Sequence, residues 1–105
     1  MKLKKITEET KNLCKSLKER NVNCILGYNK KDKYADIYLP ESKIFIEIDN
    51  LLHCISPKQI ILNFKGTNLS DKNSFYTIRI PNLVLEEHIE EISKAILEVI
   101  KMKKL

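Results

Sequence analysis

The sequence predicts an α/β fold in the order α-β-β-β-α-β-α, with a mixed four-stranded sheet flanked by helices. Three observations predict it. Apolar residues recur at helical spacing near both ends of the chain. Between those ends lie four short segments rich in Ile, Val, Phe and Tyr, the composition of strands. A Ser-Pro-Lys-Gln helix start at 56–59 separates the third segment from the fourth. A helical crossover thus follows a three-stranded meander, which makes the sheet mixed.

Residues 5–20 read as a helix, because Ile6, Thr10, Leu13 and Leu17 fall on one face and charged residues fill the others. "RNVN" ends it. "VNCILGY", 22–28, reads as the first strand and "NKKDK" as a polar turn. "YADIYLP", 34–40, and "KIFIEID", 43–49, read as the second and third strands. A four-residue connection, 40–43, pairs Leu39 with Ile44 and Asp36 with Glu47. Pro40-Glu41 suits the type I turn on which such loops are built. A three-residue loop would set Asp36 opposite Ile46 instead. Ser56 can cap the middle helix, Pro57 fits its first position, and Gln59 completes a capping box. Gly66 is its stop, and "TNLSDKN", 67–73, is loop. "FYTIRI", 75–80, is the fourth strand, closed by Pro81. Residues 84–102 read as one last helix, with Leu85, Ile89, Ile92, Ile96 and Val99 at spacings of 4, 3, 4 and 3.

A chain of 105 residues suits a single domain, 1–105, with one core. Its 43% hydrophobic and 31% charged content is that of a soluble globular protein. No apolar run approaches the roughly 18–20 residues of a membrane span. "MKLKKITEETK" lacks the apolar run of a secretory signal, so a cytoplasmic or internal protein is expected. Cys14, Cys24 and Cys54 are odd in number and lack CxxC spacing, against a disulfide scaffold or a zinc ribbon. Buried thiols are expected. A nucleophilic Cys54 beside His53 is disfavoured, because adjacent strand side chains point to opposite faces. Net charge is +5, and 17 of the 19 basic residues are Lys. Such a surface suits a polyanion, of which nucleic acid is the common one; general solubility is the alternative.

The acids carry the sharper signal. On the third strand Ile44, Ile46 and Ile48 share the core face, and Phe45, Glu47 and Asp49 share the other. Twice the strand rise puts Glu47 and Asp49 about 6.5–7 Å apart. In the four-residue register the Cβ atoms of Asp36 and Glu47 lie about 5 Å apart. Three clustered carboxylates repel one another unless they are exposed, one takes a proton, or a cation sits between them. Oxygen-only ligation is what magnesium or manganese accepts. Such an ion beside a nucleic acid backbone activates water and neutralises charge developing on phosphate. A solvated sheet face is the alternative.

Asp36 on one strand and Glu47-x-Asp49 on the next, after a helix and a strand and before a helix and a strand, resemble the PD-(D/E)XK (restriction-endonuclease-like) superfamily over residues 5–100. "ADIYLPESKIFIEIDNLLH", 35–53, is similar to the central segment of RAP domains and of very-short-patch-repair-like endonucleases. "IRIP", 78–81, resembles a strand end of RAP domains. The resemblance implies a metal-dependent nuclease acting on DNA or RNA. Asp36 and Glu47 would be the main magnesium or manganese ligands. Asp49 would stand at the place of the usual catalytic lysine, as a further ligand, and His53 near the scissile phosphate. Glu8 or Glu9 could supply an additional acid.

The chain departs from the pattern in three ways. Asn50 stands where Gly is usual, no lysine follows Glu47 by two, and the segment from His53 to Pro81 is short. These departures leave a second reading, a nucleic-acid-binding module with a decayed site, acting on RNA. A third is an interaction protein, a homodimer included, using the apolar face of the last helix. Lys43, Lys58, Lys65, Lys72 and Arg79 are candidate phosphate contacts, and the three lysines Lys43, Lys58 and Lys65 are also candidate substitutes for the absent one. Tyr28, Tyr34, Tyr38 and Tyr76 are candidate base-stacking groups, although strand tyrosines commonly serve as half-buried packing. His88, between two acidic pairs, reads as a solvated surface histidine.

Overall fold

Side-chain alternation and helix capping, both local, account for most of the architecture. The computed structural model describes residues 6–30, 33–49, 56–66 and 74–104. The elements are α1 (Glu8–Glu19), β1 (Ile25–Lys30), β2 (Lys33–Leu39), β3 (Ile44–Asp49), α2 (Pro57–Lys65), β4 (Tyr76–Pro81), α3 (Asn82–Glu87) and α4 (Ile89–Lys104). The sheet order is β1-β2-β3-β4. β1–β2 and β2–β3 are antiparallel and β3–β4 is parallel, so the sheet is mixed as the α2 crossover requires. The fold class is the expected one, with one more break near the C-terminus.

α1 begins where the Thr7 hydroxyl accepts from the Thr10 amide at 3.2 Å. It ends at Asn21, whose φ of 64° is left-handed. There the Asn21 N–H donates to the Lys18 carbonyl and the Val22 N–H to the Leu17 carbonyl, a Schellman closure with Asn in the place of Gly. This closure holds residues 21 and 22, and β1 starts at Ile25, later than the 22–28 reading. Ser56 caps α2 by accepting from the Gln59 amide at 3.3 Å. The Gln59 side chain donates to Asn63 Oδ1 at 2.8 Å, so only half of the expected capping box forms. Gly66 closes α2 with a right-handed φ of −76°.

The single helix expected over 84–102 is two helices, parted at His88 with φ −134° and ψ 39°. Hydrogen bonds still cross the break, from the His88 N–H to the Val84 carbonyl and from the Ile92 N–H to the His88 carbonyl. The kink keeps the helical phase, and Leu85, Ile92, Ile96 and Val99 all remain buried. A periodicity argument cannot detect a kink of that kind.

Ile37, Leu39, Ile44, Ile46, Ile48 and Ile78 bury one face of the sheet against Ile92 and Ile96, each at most 4% exposed. Leu13 and Leu17 of α1, Ile60 and Phe64 of α2, and Leu85 of α3 join the same cluster, so all four helices contribute to the core on this face. Cys14 and Cys24 are free and buried, and burial followed by the neighbouring Cys14 pushes the Cys24 thiol well up. Cys54 lies outside the described residues. The radius of gyration, 12.9 Å, is that of one compact body of this length, about 13 Å. Among the described residues no helix is long and apolar enough to cross a membrane.

Candidate functional site

The β2–β3 connection has the four-residue length that the sequence favours. Leu39 pairs with Ile44, Tyr38 with Phe45 and Ile37 with Ile46, and Lys43 closes the turn with a φ of 56°. Continued one step, that register would set Asp36 opposite Glu47, but no such pair forms. The paired ladder stops one step short of them, at Ile37 and Ile46. Beyond it the Ile48 N–H donates to Asp36 Oδ2 at 2.7 Å. A side-chain carboxylate thus takes a backbone amide at the fork where β2 and β3 part. Asp36 is 1% exposed, and its Oδ1 accepts from the Tyr34 hydroxyl at 3.3 Å. Burial, then the charge and hydrogen bond of Asp36, push the Tyr34 hydroxyl up, so Tyr34 keeps the proton it donates.

The β1–β2 ladder shows why Asp36 is turned inward. It pairs every residue from Ile25 to Lys30 except Gly27, and its partner strand skips Asp36, which the register would set opposite. Gly27 has a φ of +68°, and a Cβ there would meet nothing within 4 Å, so backbone conformation alone calls for glycine. Strict alternation would put Lys33 and Ala35 on the face opposite Tyr38. Instead Lys33 Nζ lies 4.7 Å from the centre of the Phe45 ring and 3.1 Å from Glu47 Oε2. Tyr28, the partner of Ala35, has its ring 4.6 Å from that of Tyr38. The alternation therefore slips on both strands at the Gly27–Asp36 step, and the register survives because they slip together.

Glu47 projects from β3 and is half-buried. Its carboxylate meets Lys33 Nζ at 3.1 Å and, at 3.8 Å, Nε of Arg79, its neighbour on β4. Asp49 follows two residues later, half-buried beside Pro81 of β4. Among the described residues no three His, Cys, Asp or Glu side chains are grouped to hold a metal ion. Asp36 turns its oxygens to an amide and a phenol, and Glu47 turns its own to two cations. His53 and Asn50 lie outside the described residues.

The candidate cations divide between two places. Arg79 is on β4 and Lys43 in the turn between β2 and β3, where its Nζ stands 5.5 Å from the centre of the Phe75 ring. Lys58 and Lys65 are exposed on the first and last turns of α2, in the helical layer. Lys72 is outside the described residues. Glu9 accepts from Asn82 Nδ2 of α3 at 3.1 Å and Glu8 faces Lys11 of its own helix at 3.8 Å. His88 is exposed, with Nδ1 2.7 Å from Glu91 Oε2, the surface role its neighbours suggest.

Sequence reasoning missed Lys33 and Phe75. The alternation of Phe45 with Glu47 was one available signal, since it sets an aromatic ring beside an acid on an otherwise polar face. Lys33 was hidden by the slip at Asp36. Together Tyr28, Tyr38, Phe45 and Phe75 form a continuous row of rings, with successive centroids 4.6, 4.7 and 5.4 Å apart.

Comparison of the chain with protein-family models, curated proteins and solved structures gives no significant match.

Proposed function

We propose that this chain is a nucleic-acid-binding domain of the PD-(D/E)XK, RAP-like class whose acidic fork serves the fold. One observation carries the reading: the two principal carboxylates are engaged by the protein itself. Asp36 accepts from the Ile48 amide at the strand fork, and Glu47 lies between Lys33 and Arg79. The α-β-β-β-α-β order and the surplus of five positive charges support it. Titration of labelled DNA and RNA against salt tests it. The affinity should fall linearly on a log–log plot as counterions are released. Asp36→Asn keeps an oxygen for the Ile48 amide and should still bind. Failure to bind at low salt would favour the interaction-protein reading.

A second reading, a metal-dependent phosphodiesterase, is favoured by the closeness in the fold of Asp36 on β2 to β3, which carries Glu47 and Asp49. It requires Asp36 to leave the Ile48 amide and Glu47 to leave Lys33. Cleavage that depends on magnesium or manganese and is lost in Glu47→Ala would decide for it. A panel of single-stranded, structured and duplex substrates without metal-dependent product would decide for the binding domain.

A further inference from the structure

The face of the sheet turned away from the core cluster is chemically unlike the rest of the molecule. Tyr28, Tyr38, Phe45 and Phe75 bring one ring each from β1, β2, β3 and the residue before β4. Tyr38 lies nearly parallel to Phe45, with 24° between planes, and Phe45 to Phe75, with 18°. None of the four belongs to the cluster that joins the helices to the sheet. Phe45 is buried, yet what lies against it is the other three rings and Lys33. Phe75, at the end of the row, is 57% exposed. Folding alone gives no return for leaving that much of an aromatic ring in water.

The charges beside the row indicate what would cover it. Lys33 and Lys43 place their ammonium groups over Phe45 and Phe75, and Arg79 projects from β4 with a 65% exposed side chain. The acids of this side, Glu47 and Asp49, sit on the later half of β3, whereas Lys43 and Phe75 flank its start. Flat rings bordered by flexible cations match a strand whose bases are unstacked and whose phosphates run alongside. A duplex offers only base edges, because its bases are already stacked on one another.

We propose that this aromatic face is a platform for single-stranded nucleic acid, with Phe75 stacking on a base and Lys43 and Arg79 meeting the flanking phosphates. The proposal rests on the nucleic-acid reading above and narrows it to one surface and one class of ligand. A second copy of this chain is the competing occupant.

Fluorescence anisotropy with an oligothymidylate, its oligouridylate counterpart and a DNA duplex of equal length tests it, on wild type, Phe75→Ala and Phe75→Tyr. The wild type should prefer one or both single strands to the duplex. Phe75→Ala should weaken single-strand binding about 5- to 150-fold, the range for loss of one stacked base, and Phe75→Tyr should restore it. Circular dichroism checks that Phe75→Ala, at an exposed position, stays folded. Equal, salt-sensitive binding of all three probes that Phe75→Ala leaves unchanged would overturn the platform and leave the nucleic-acid reading standing. No binding of any probe at low salt would overturn both. A dimer in gel filtration that dissociates in Phe75→Ala, without single-strand binding, would give the face to a second copy and overturn the proposal.

Discussion

The two faces of the sheet are made from the same strands and obey different rules. On one face, Ile37, Leu39, Ile44, Ile46, Ile48 and Ile78 are buried with the helices and have lost nearly all contact with water. On the other, aromatic rings and cations cover one another, and Phe75 remains 57% exposed. The first face is explained by folding, because each buried aliphatic side chain contributes about 1.5–3 kcal/mol relative to exposure. The second is not explained that way, and a surface that folding leaves unexplained is where binding should be sought.

Substitutions that separate the faces follow from this contrast. Ile46→Ala, on the fully buried side, should lower unfolding free energy by about 2–5 kcal/mol in a denaturant titration. A near-neutral result would mean that the faces of β3 had been exchanged. Asp36→Ala comes next. It removes the acceptor of the Ile48 N–H, so a loss of about 1–3 kcal/mol is expected, whereas Asp36→Asn should recover much of it. If Asn and Ala are equally costly, charge rather than the hydrogen bond holds the fork. Gly27→Ala should cost about 1–2 kcal/mol from left-handed backbone strain alone, because its Cβ would meet no neighbour. Phe75→Ala, on the open face, should change stability by less than about 1 kcal/mol while acting on single-strand binding.

The smallest effect belongs to the exposed His88–Glu91 pair on the helices. The hydrogen bond with His88 holds the Glu91 carboxyl below its ordinary range. The contribution of the pair is therefore present above the ordinary carboxylate pKa and is lost as pH falls through the lowered one. His88→Ala should reduce Tm slightly at neutral pH and leave it unchanged in strong acid. A Tm difference that persists in strong acid would mean that His88 acts through the α3–α4 break instead.

Much of this was legible in the residues. The alternation of Ile44, Ile46 and Ile48 identified the core face of β3, and the 40–43 connection identified the register that pairs Leu39 with Ile44. Ser56-Pro57 identified the start of α2. These readings succeed because each depends on a period or a turn only a few residues long. The break at His88 escaped because the apolar phase runs through it unchanged. The faces of Lys33 and Tyr28 escaped because alternation holds only while a strand is regular, and the regularity fails at Gly27 and Asp36.

The sequence by itself determined the α/β class, the element order, the hairpin register and the aliphatic core, since local periodicity and turn chemistry are written in neighbouring residues. Only the tertiary structure decided what the acids touch. The Ile48 amide reaches Asp36 from twelve residues away, and Arg79 reaches Glu47 through a crossover that spans α2. It also decided that four rings from four separate segments meet in one row. Both outcomes depend on which strands lie side by side and where two of them part, and packing settles that only when the whole sheet has closed over its helices.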